Sequence, residues 1–450
     1  MLDSQLLLMI VTFFAVIIIM LWRPLGMNET IPTSAGAALV LLLGIVPLTD
    51  VMNIFNIVSG ASLTILSTIM MSIVLDSIGF FKWIAFNIII RSRGSGKRLF
   101  FYIILLCFLM TMFFNNDGSI LITTPIIIHI MTLLKMKPKQ AFPYFISGAL
   151  IATAASAPIA VSNISNLIAL KIVGLSLNSY IEMMFIPSLA GIALIALLLY
   201  LYFKKDIPNK TPFLHLKWNQ TSNTIKLDHP LKLAESNEEV DWRLFKVCLF
   251  VVVLTRASFF ALSPFGIPTE WIGLSGAFLL LFIRWYRTKV GVLDVFKKTP
   301  WHVLLFAFNM YVLVYGLRNV GLNHLIVENL KGFVMANHFN ASMVMGLFLT
   351  LLSNVTNNLP AVMIGTLSIT EMGLDHQTMQ IAYLANVIGS DIGALLTPVG
   401  TLATLIWMFL LKKHSIKITW GQYMKVTFIV IPIGLVASLL FLYLWNIWLF

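Results

Sequence analysis

Four short polar stretches interrupt long apolar runs, and they hold most of the residues able to grip a small polar solute. The first is Asn115-Asn116-Asp117-Gly118-Ser119. The second runs Thr153-Ala154-Ala155-Ser156-Ala157-Pro158 and continues in Ser162-Asn163-Ile164-Ser165-Asn166. The third is Ser353-Asn354-Val355-Thr356-Asn357-Asn358-Leu359-Pro360. The fourth joins Gly389-Ser390-Asp391-Ile392-Gly393 to Thr397-Pro398-Val399-Gly400-Thr401. Gly and Pro break helices, and a break exposes N–H donors at one half-helix end and C=O acceptors at the other. One such patch alone is more simply read as hydroxyl and amide glue between helices beside a kink. Four patches in matched pairs argue for a substrate site, with Asn115, Asn116, Ser162, Asn163, Asn357, Asn358, Thr397 and Thr401 as candidate binding residues.

Two acids lie in these patches. An uncompensated intramembrane carboxylate costs about 2.5 kcal/mol or more, so Asp117 and Asp391 are candidates for proton coupling. Asp117 has an alternative role as N-cap of the segment that follows it. Arg256 has two roles open, pairing with an acid or lining the pathway. Asp76 and Arg318 fall near helix ends on opposite sides of the membrane and are expected to snorkel outward rather than pair with each other. Other chemistry is poorly supported. Gly94-Ser95-Gly96-Lys97-Arg98 lacks the first Gly and the final Ser/Thr of a phosphate loop and reads as a basic turn. The 8 His residues have no ligand spacing, and Cys107 and Cys248 both sit in apolar runs, so no metal site, cofactor or disulfide framework is expected. No nucleophile–His–acid set is identifiable, and the chain does not read as an enzyme.

The elements that position these patches follow from composition. Of 450 residues 59% are hydrophobic and 11% charged, against about 25% charged in soluble domains. That excludes a soluble enzyme, a disordered chain or a small disulfide scaffold and leaves an all-α polytopic membrane protein. Apolar runs fall at 5–22, 34–48, 61–80, 99–114, 119–134, 141–175, 183–203, 244–262, 271–286, 301–317, 341–353, 359–370, 378–411 and 426–449. Spans need about 20 residues. The pairs 99–114 with 119–134 and 341–353 with 359–370 are shorter, carry polar tips at 115–119 and 353–360, and read as re-entrant hairpins. The remaining runs make about ten transmembrane helices.

The net charge of +12 tests this plan. With ten crossings and both termini outside, all 30 Lys and Arg fall on the cytoplasmic side except Lys171, Arg256, Arg318 and Lys331. The excess therefore marks topology by the positive-inside rule and not a nucleic-acid surface. Run 5–22 has no basic residue before it and no small-residue cleavage site, so it reads as a retained helix rather than a signal peptide.

The two halves repeat. Gly79 corresponds to Gly321 and Asn115-Asn116 to Asn357-Asn358 at an offset of 242, and Ala157-Pro158 to Thr397-Pro398 at 240. The expected units are a first repeat at 1–205 with an interrupted helix at 141–175, a cytoplasmic linker at 206–243, and a second repeat at 244–450 with an interrupted helix at 378–411. Five crossings in each half give opposed orientations, the inverted-repeat plan of secondary transporters.

At these patches the chain resembles the arsenite–antimonite efflux permeases, or arsenical pump membrane proteins, of the ion-transporter superfamily that also holds sodium/proton antiporters and dicarboxylate carriers. The resemblance is carried by Phe113-Phe114-Asn115-Asn116-Asp117-Gly118, by Asn357-Asn358-Leu359-Pro360 and by the stretch from Asn386 to Thr404. Asn309-Met310-Tyr311, Tyr315-Gly316-Leu317-Arg318-Asn319-Val320-Gly321 and Trp420-Gly421-Gln422-Tyr423-Met424-Lys425 add to it. It implies a cell-membrane exporter of arsenite or antimonite driven by protons, conferring arsenic resistance, with a soluble ATPase subunit in some members. Two positions depart from the family pattern: Thr153 stands where an Asp is common, and Ala394-Leu395 replaces a Pro-Lys pair. A sodium/proton antiporter and the membrane subunit of an ATP-driven pump are the alternatives, and homodimerisation stays open. The chemistry suits the substrate: arsenite near neutral pH is mainly an uncharged trihydroxide, which Asn, Ser and Thr can bind and release, whereas thiols would hold it too tightly.

Overall fold

The computed structural model describes residues 4–22, 27–211 and 241–449. Among the described residues there are helices and no strands. The first half comprises α1 (Ser4–Trp22), α2 (Thr30–Leu42), α3 (Leu48–Ser77), α4 (Phe80–Ser92), α5 (Gly96–Phe113), α6 (Asn116–Leu133), α7 (Pro138–Ala154), α8 (Ile164–Val173) and α9 (Leu177–Phe203). The second comprises α10 (Trp242–Ala261), α11 (Thr269–Thr288), α12 (Leu293–Lys298), α13 (His302–Asn319), α14 (Leu322–Val334), α15 (His338–Thr356), α16 (Asn358–Glu371), α17 (His376–Asp391), α18 (Leu402–Lys413) and α19 (Trp420–Leu449). Nine helices among the described residues are long and apolar enough to cross a membrane. The chain is an all-helical polytopic membrane protein. Most of the 206–243 linker lies outside the described residues.

Apart from the short α12, the order of elements in one half matches that in the other. Gly79 and Gly321 both open the short helix after a long one, in left-handed turns with φ of 82° and 92°. A Cβ is strained in that conformation. Cross-half pairings match as well: α11 packs on α3 as α13 packs on α2, and α18 touches α6 as α8 touches α16.

Burial separates the helices into two classes. On α7 and α17 all but the first residues are buried, and on α16 everything from Asn358 to Ile369 is. By contrast α1, α10, α11 and α19 expose large apolar side chains such as Leu7, Val11, Phe250, Phe278, Phe282 and Leu444. In water such faces would aggregate; in a bilayer they meet lipid. Helices α7, α16 and α17 are thus wrapped by helices that face acyl chains, where non-helical backbone is tolerated, whereas α15 also exposes Leu347, Leu351 and Val355.

The hairpin arms are longer than their apolar runs. α5 and α6 have 18 residues each, α15 has 19 and α16 has 14. Polar caps account for part of the difference, since Asn337 and Ser95 start α15 and α5 with side chains that accept from the backbone. At 1.5 Å per residue, α16 spans only about 21 Å of a hydrocarbon core of about 30 Å.

Candidate functional site

Both interrupted helices are broken where Gly and Pro stand. α7 ends at Ala154, and a single 3-10 turn at Ala160–Ser162 precedes α8. α17 ends at Asp391, followed by 3-10 turns at Gly393–Leu396 and Pro398–Gly400 before α18. Pro158 and Pro398 lack the N–H that would continue a helix, and Pro398 keeps Thr397 extended, at φ −119° and ψ 156°. Each restart has a side-chain cap. Asn163 accepts from the Ser165 N–H at 3.1 Å, and Thr401 accepts from the Thr404 N–H at 3.1 Å.

The two breaks meet at Asp391, whose side chain is fully buried. Its Oδ2 accepts from Ser156 Oγ at 2.7 Å and from Asn166 Nδ2 at 2.6 Å; its Oδ1 accepts from Asn163 Nδ2 at 2.8 Å. The second half thus supplies the acid, and the first half supplies three neutral donors. Donors to a carboxylate are worth about 1.5–3 kcal/mol each, enough to keep an otherwise costly group in the interior. Two tyrosines brace the arrangement. Tyr383 donates to the Asn166 carbonyl at 3.0 Å and Tyr180 to the Ala157 carbonyl at 2.5 Å.

The hairpin tips flank this centre differently. At the first tip, Asn115 Oδ1 accepts from the Gly118 N–H at 2.5 Å, and its Nδ2 donates to Thr68 of α3 at 3.4 Å. Asn115 is therefore the N-cap of α6, the role that Asp117 could have taken; Asp117 lies in the first turn instead. The Asp117 side chain is half-buried and forms no hydrogen bond or ion pair with the described residues. Arg256 of α10 finds no acid among the described residues: its guanidinium donates to the Phe113 and Phe114 carbonyls at the end of α5. Those carbonyls have no partner within the helix, and a buried cation there also meets the negative end of the helix dipole.

The second tip is tied to the break beside it. Asn354 donates to the Gly393 carbonyl at 2.9 Å and accepts from the Thr397 N–H at 2.8 Å. Asn357 sits at φ 80°, unusual for a residue with a Cβ, and donates to the Val399 carbonyl at 3.0 Å.

Buried polar atoms with no protein partner recur through these elements: Ser119 Oγ, Ser162 Oγ, Asn166 Oδ1, Ser353 Oγ, Asn357 Oδ1 and both amide atoms of Asn386. Buried polar groups are rarely left unpaired in native structures. Others lie elsewhere in the helices, at Ser62, Ser188 and Asn446 for example; those at the two tips and the first break suit a small solute rich in hydroxyl groups. No thiol competes there, because Cys107 and Cys248 are buried in α5 and α10.

Of the residues singled out in the sequence, Asn163 and Asp391 are in direct contact. Thr397 binds Asn354 rather than the acid, and Thr401 is occupied with Thr404 as a helix cap. Asn116 accepts from the Asp117 N–H at 2.8 Å. Asn358 is buried in the first turn of α16. Ser156 and Asn166 complete the acid's shell; the three-residue spacing of Asn163 and Asn166 puts both amides on one face of the helix start. Thr153, the departure from the family pattern, donates to its own Ala149 carbonyl at 3.1 Å and does not reach Asp391. Arg318 pairs with Glu371 at 2.7 Å and not with Asp76.

Residues 8–446 match the protein family described as arsenical pump membrane protein. A Bacillus subtilis (strain 168) protein, provisionally named as such a pump, is 47% identical over 97% of this chain and 99% of its own length. Escherichia coli proteins named arsenical pump membrane protein are similar too. One is 33% identical over 92% of both chains, and that of strain K12 is 32% identical over 92% of both.

Proposed function

The chain belongs to the arsenical pump membrane protein family, a family of membrane transporters and not of enzymes, and from that premise we propose that it exports arsenite and antimonite across the cell membrane in exchange for protons. The observation that carries the coupling is Asp391, a fully buried carboxylate of one half held by three donors of the other. Movement between the halves changes the number of donors on that carboxylate, and with it the balance between its protonated and ionised forms. Asp117, half-buried at the opposite tip, is the second proton-coupling group in this reading.

Substrate recognition is assigned to the tips and breaks. Asn115, Asn116, Ser162, Asn163, Asn357, Asn358, Thr397 and Thr401 are the binding residues in this reading, and the unpartnered Ser162 Oγ and Asn357 Oδ1 among them suit an uncharged trihydroxide. The matched element order and cross-half pairings support two inverted repeats with re-entrant hairpins, α16 being the arm farthest from spanning length. The cytoplasmic 206–243 linker and external termini follow from the placement of Lys and Arg. That linker is where a soluble ATPase subunit would dock.

Everted vesicles test the proposal. Arsenite or antimonite accumulation energised by a proton gradient, abolished by an uncoupler and not restored by ATP, is expected. Sodium-dependent proton movement without arsenite uptake would make the protein an antiporter, and ATP-dependent uptake insensitive to uncoupler would make it a pump subunit. Asp117→Asn and Asp391→Asn are each expected to remove coupled export; unchanged transport in both would sink the assignment.

A further inference from the structure

We propose that Lys171 and Glu270 form a latch closing one mouth of the transport pathway, and that Glu29 and Lys412 are its counterpart at the other mouth. Lys171 is in the last turn of α8, the helix whose start carries Asn163 and Asn166. Glu270 is in the first turn of α11. Lys171 Nζ and Glu270 Oε2 are 3.9 Å apart, with side chains 35% and 20% exposed. They converge over Gly60 of α3, where an added Cβ would overlap both charged ends. Nearby, the hydroxyls of Thr64 and Thr269 lie 3.0 Å apart and fasten α3 to α11. The latch therefore ties a helix that holds the central acid to a helix pair that does not.

The ion pair is loose. Its distance exceeds that of a hydrogen bond, and Glu270 Oε2 has no hydrogen-bond partner. Partly exposed pairs contribute little to stability, so this one opens readily and suits a switch better than a brace.

The second half repeats the parts. At an offset of 241, Glu29 corresponds to Glu270 and Lys171 to Lys412. Glu29 immediately precedes α2, and Lys412 is in the last turn of α18, the helix that follows the second break. Thr30 Oγ1 donates to the His302 carbonyl of α13 at 3.4 Å, as Thr269 meets Thr64 of α3. The pairing itself differs. Glu29 lies 3.5 Å from His302 Nε2, and Lys412 is exposed, with no ion pair joining it to Glu29. One latch is closed while the other is parted, as alternating access requires of two mouths that must not open together. Lys171 and Glu270 are positioning residues: they act through α8 on Asn163 and Asn166. The inference rests on the opposed halves proposed above, which put the Lys171 mouth outside and the Lys412 mouth inside.

The test reads access rather than arsenite transport alone. Cys107 and Cys248 are fully buried, so a thiol introduced by Ser162→Cys, or by Ala160→Cys should the first variant fail to fold, reports on the first break. A membrane-impermeant thiol reagent is applied to intact cells and, separately, to everted vesicles. Glu270→Ala and Gly60→Ala are each expected to raise labelling from outside about threefold, the population shift that about 0.7 kcal/mol of lost closure produces. Both should slow transport, measured in protein without the introduced thiol. The swap Lys171→Glu with Glu270→Lys should restore both readouts, which mere repair of packing would not do. Unchanged labelling in both single variants, or a swap that restores neither readout, would overturn the latch. Increased labelling from the inside instead would keep the latch and overturn the orientation. Labelling that responds as expected, when the protein without the introduced thiol moves no arsenite, would keep the latch and overturn the substrate assignment.

Discussion

The two halves carry the same motifs and use them differently. In the first, Asn115 caps its own helix and Arg256 from α10 closes the end of α5. In the second, Asn354 and Asn357 reach out of the hairpin and tie it to the neighbouring break. The breaks differ in the same way: the first offers Ser156, Asn163 and Asn166, all neutral, and the second offers Asp391. Repetition of backbone architecture therefore leaves the charges free to diverge. One buried carboxylate needs several donors; two facing each other would repel, and one would have to carry a proton.

The largest test of this division is to remove the charge. Asp391→Asn is expected to abolish proton-driven arsenite uptake in everted vesicles, whereas placing the acid in the other half, in Asp391→Asn with Asn163→Asp, is expected to recover part of it. Full activity of Asp391→Asn would mean that the two breaks are equivalent. Next comes removal of a donor. Asn166→Leu takes one hydrogen bond from the carboxylate, about 1.5–3 kcal/mol, and should lower the uptake rate roughly 10- to 100-fold.

The tips give smaller effects, read as thermal stability in detergent. Arg256→Met leaves the Phe113 and Phe114 carbonyls without their charged donor and is expected to destabilise the protein by about 1.5–3 kcal/mol. Asn354→Leu should act on the other tip, loosening the second hairpin from its break. At Asn357 the comparison is between two small residues. Glycine accepts φ 80° and alanine does not, so Asn357→Ala should be less stable than Asn357→Gly by about 1 kcal/mol; equal melting temperatures would show that the tip relaxes. The smallest effect is expected at Asp375, the N-cap of α17. The hydroxyl of Thr378, with backbone N–H groups, holds its exposed carboxyl below the usual carboxylate range. A depressed folded-state pKa lends stability above the unfolded-state value, lost as pH falls through the folded-state one. Asp375→Asn, still a good cap, should change the melting temperature little at neutral pH and flatten its decline in acid.

Much of the fold was legible before any coordinates. Gly79 and Gly321, the paired asparagines and the two Pro-containing breaks mark local backbone requirements, and local requirements are written in local sequence. The arms of the hairpins were underestimated because apolar runs stop where polar side chains begin, whereas helices continue to their caps. Within the candidate site, Asp391 and Asn163 stood out by residue type. The places of Ser156 and Asn166 around that acid, the choice of Arg256 for carbonyls over carboxylates, and the meeting of Lys171 with Glu270 over Gly60 did not.

From composition and punctuation alone the sequence determined a membrane-embedded helical protein, broken at two places in the bilayer and built of two similar halves. Such features depend on residues close in the chain, or on totals that position does not alter. Which half holds the charge, and which supplies the donors around it, was decided only in tertiary structure. Ser156 and Asp391 are 235 residues apart in the chain and 2.7 Å apart in space, and no local pattern encodes a contact made by packing one half against the other.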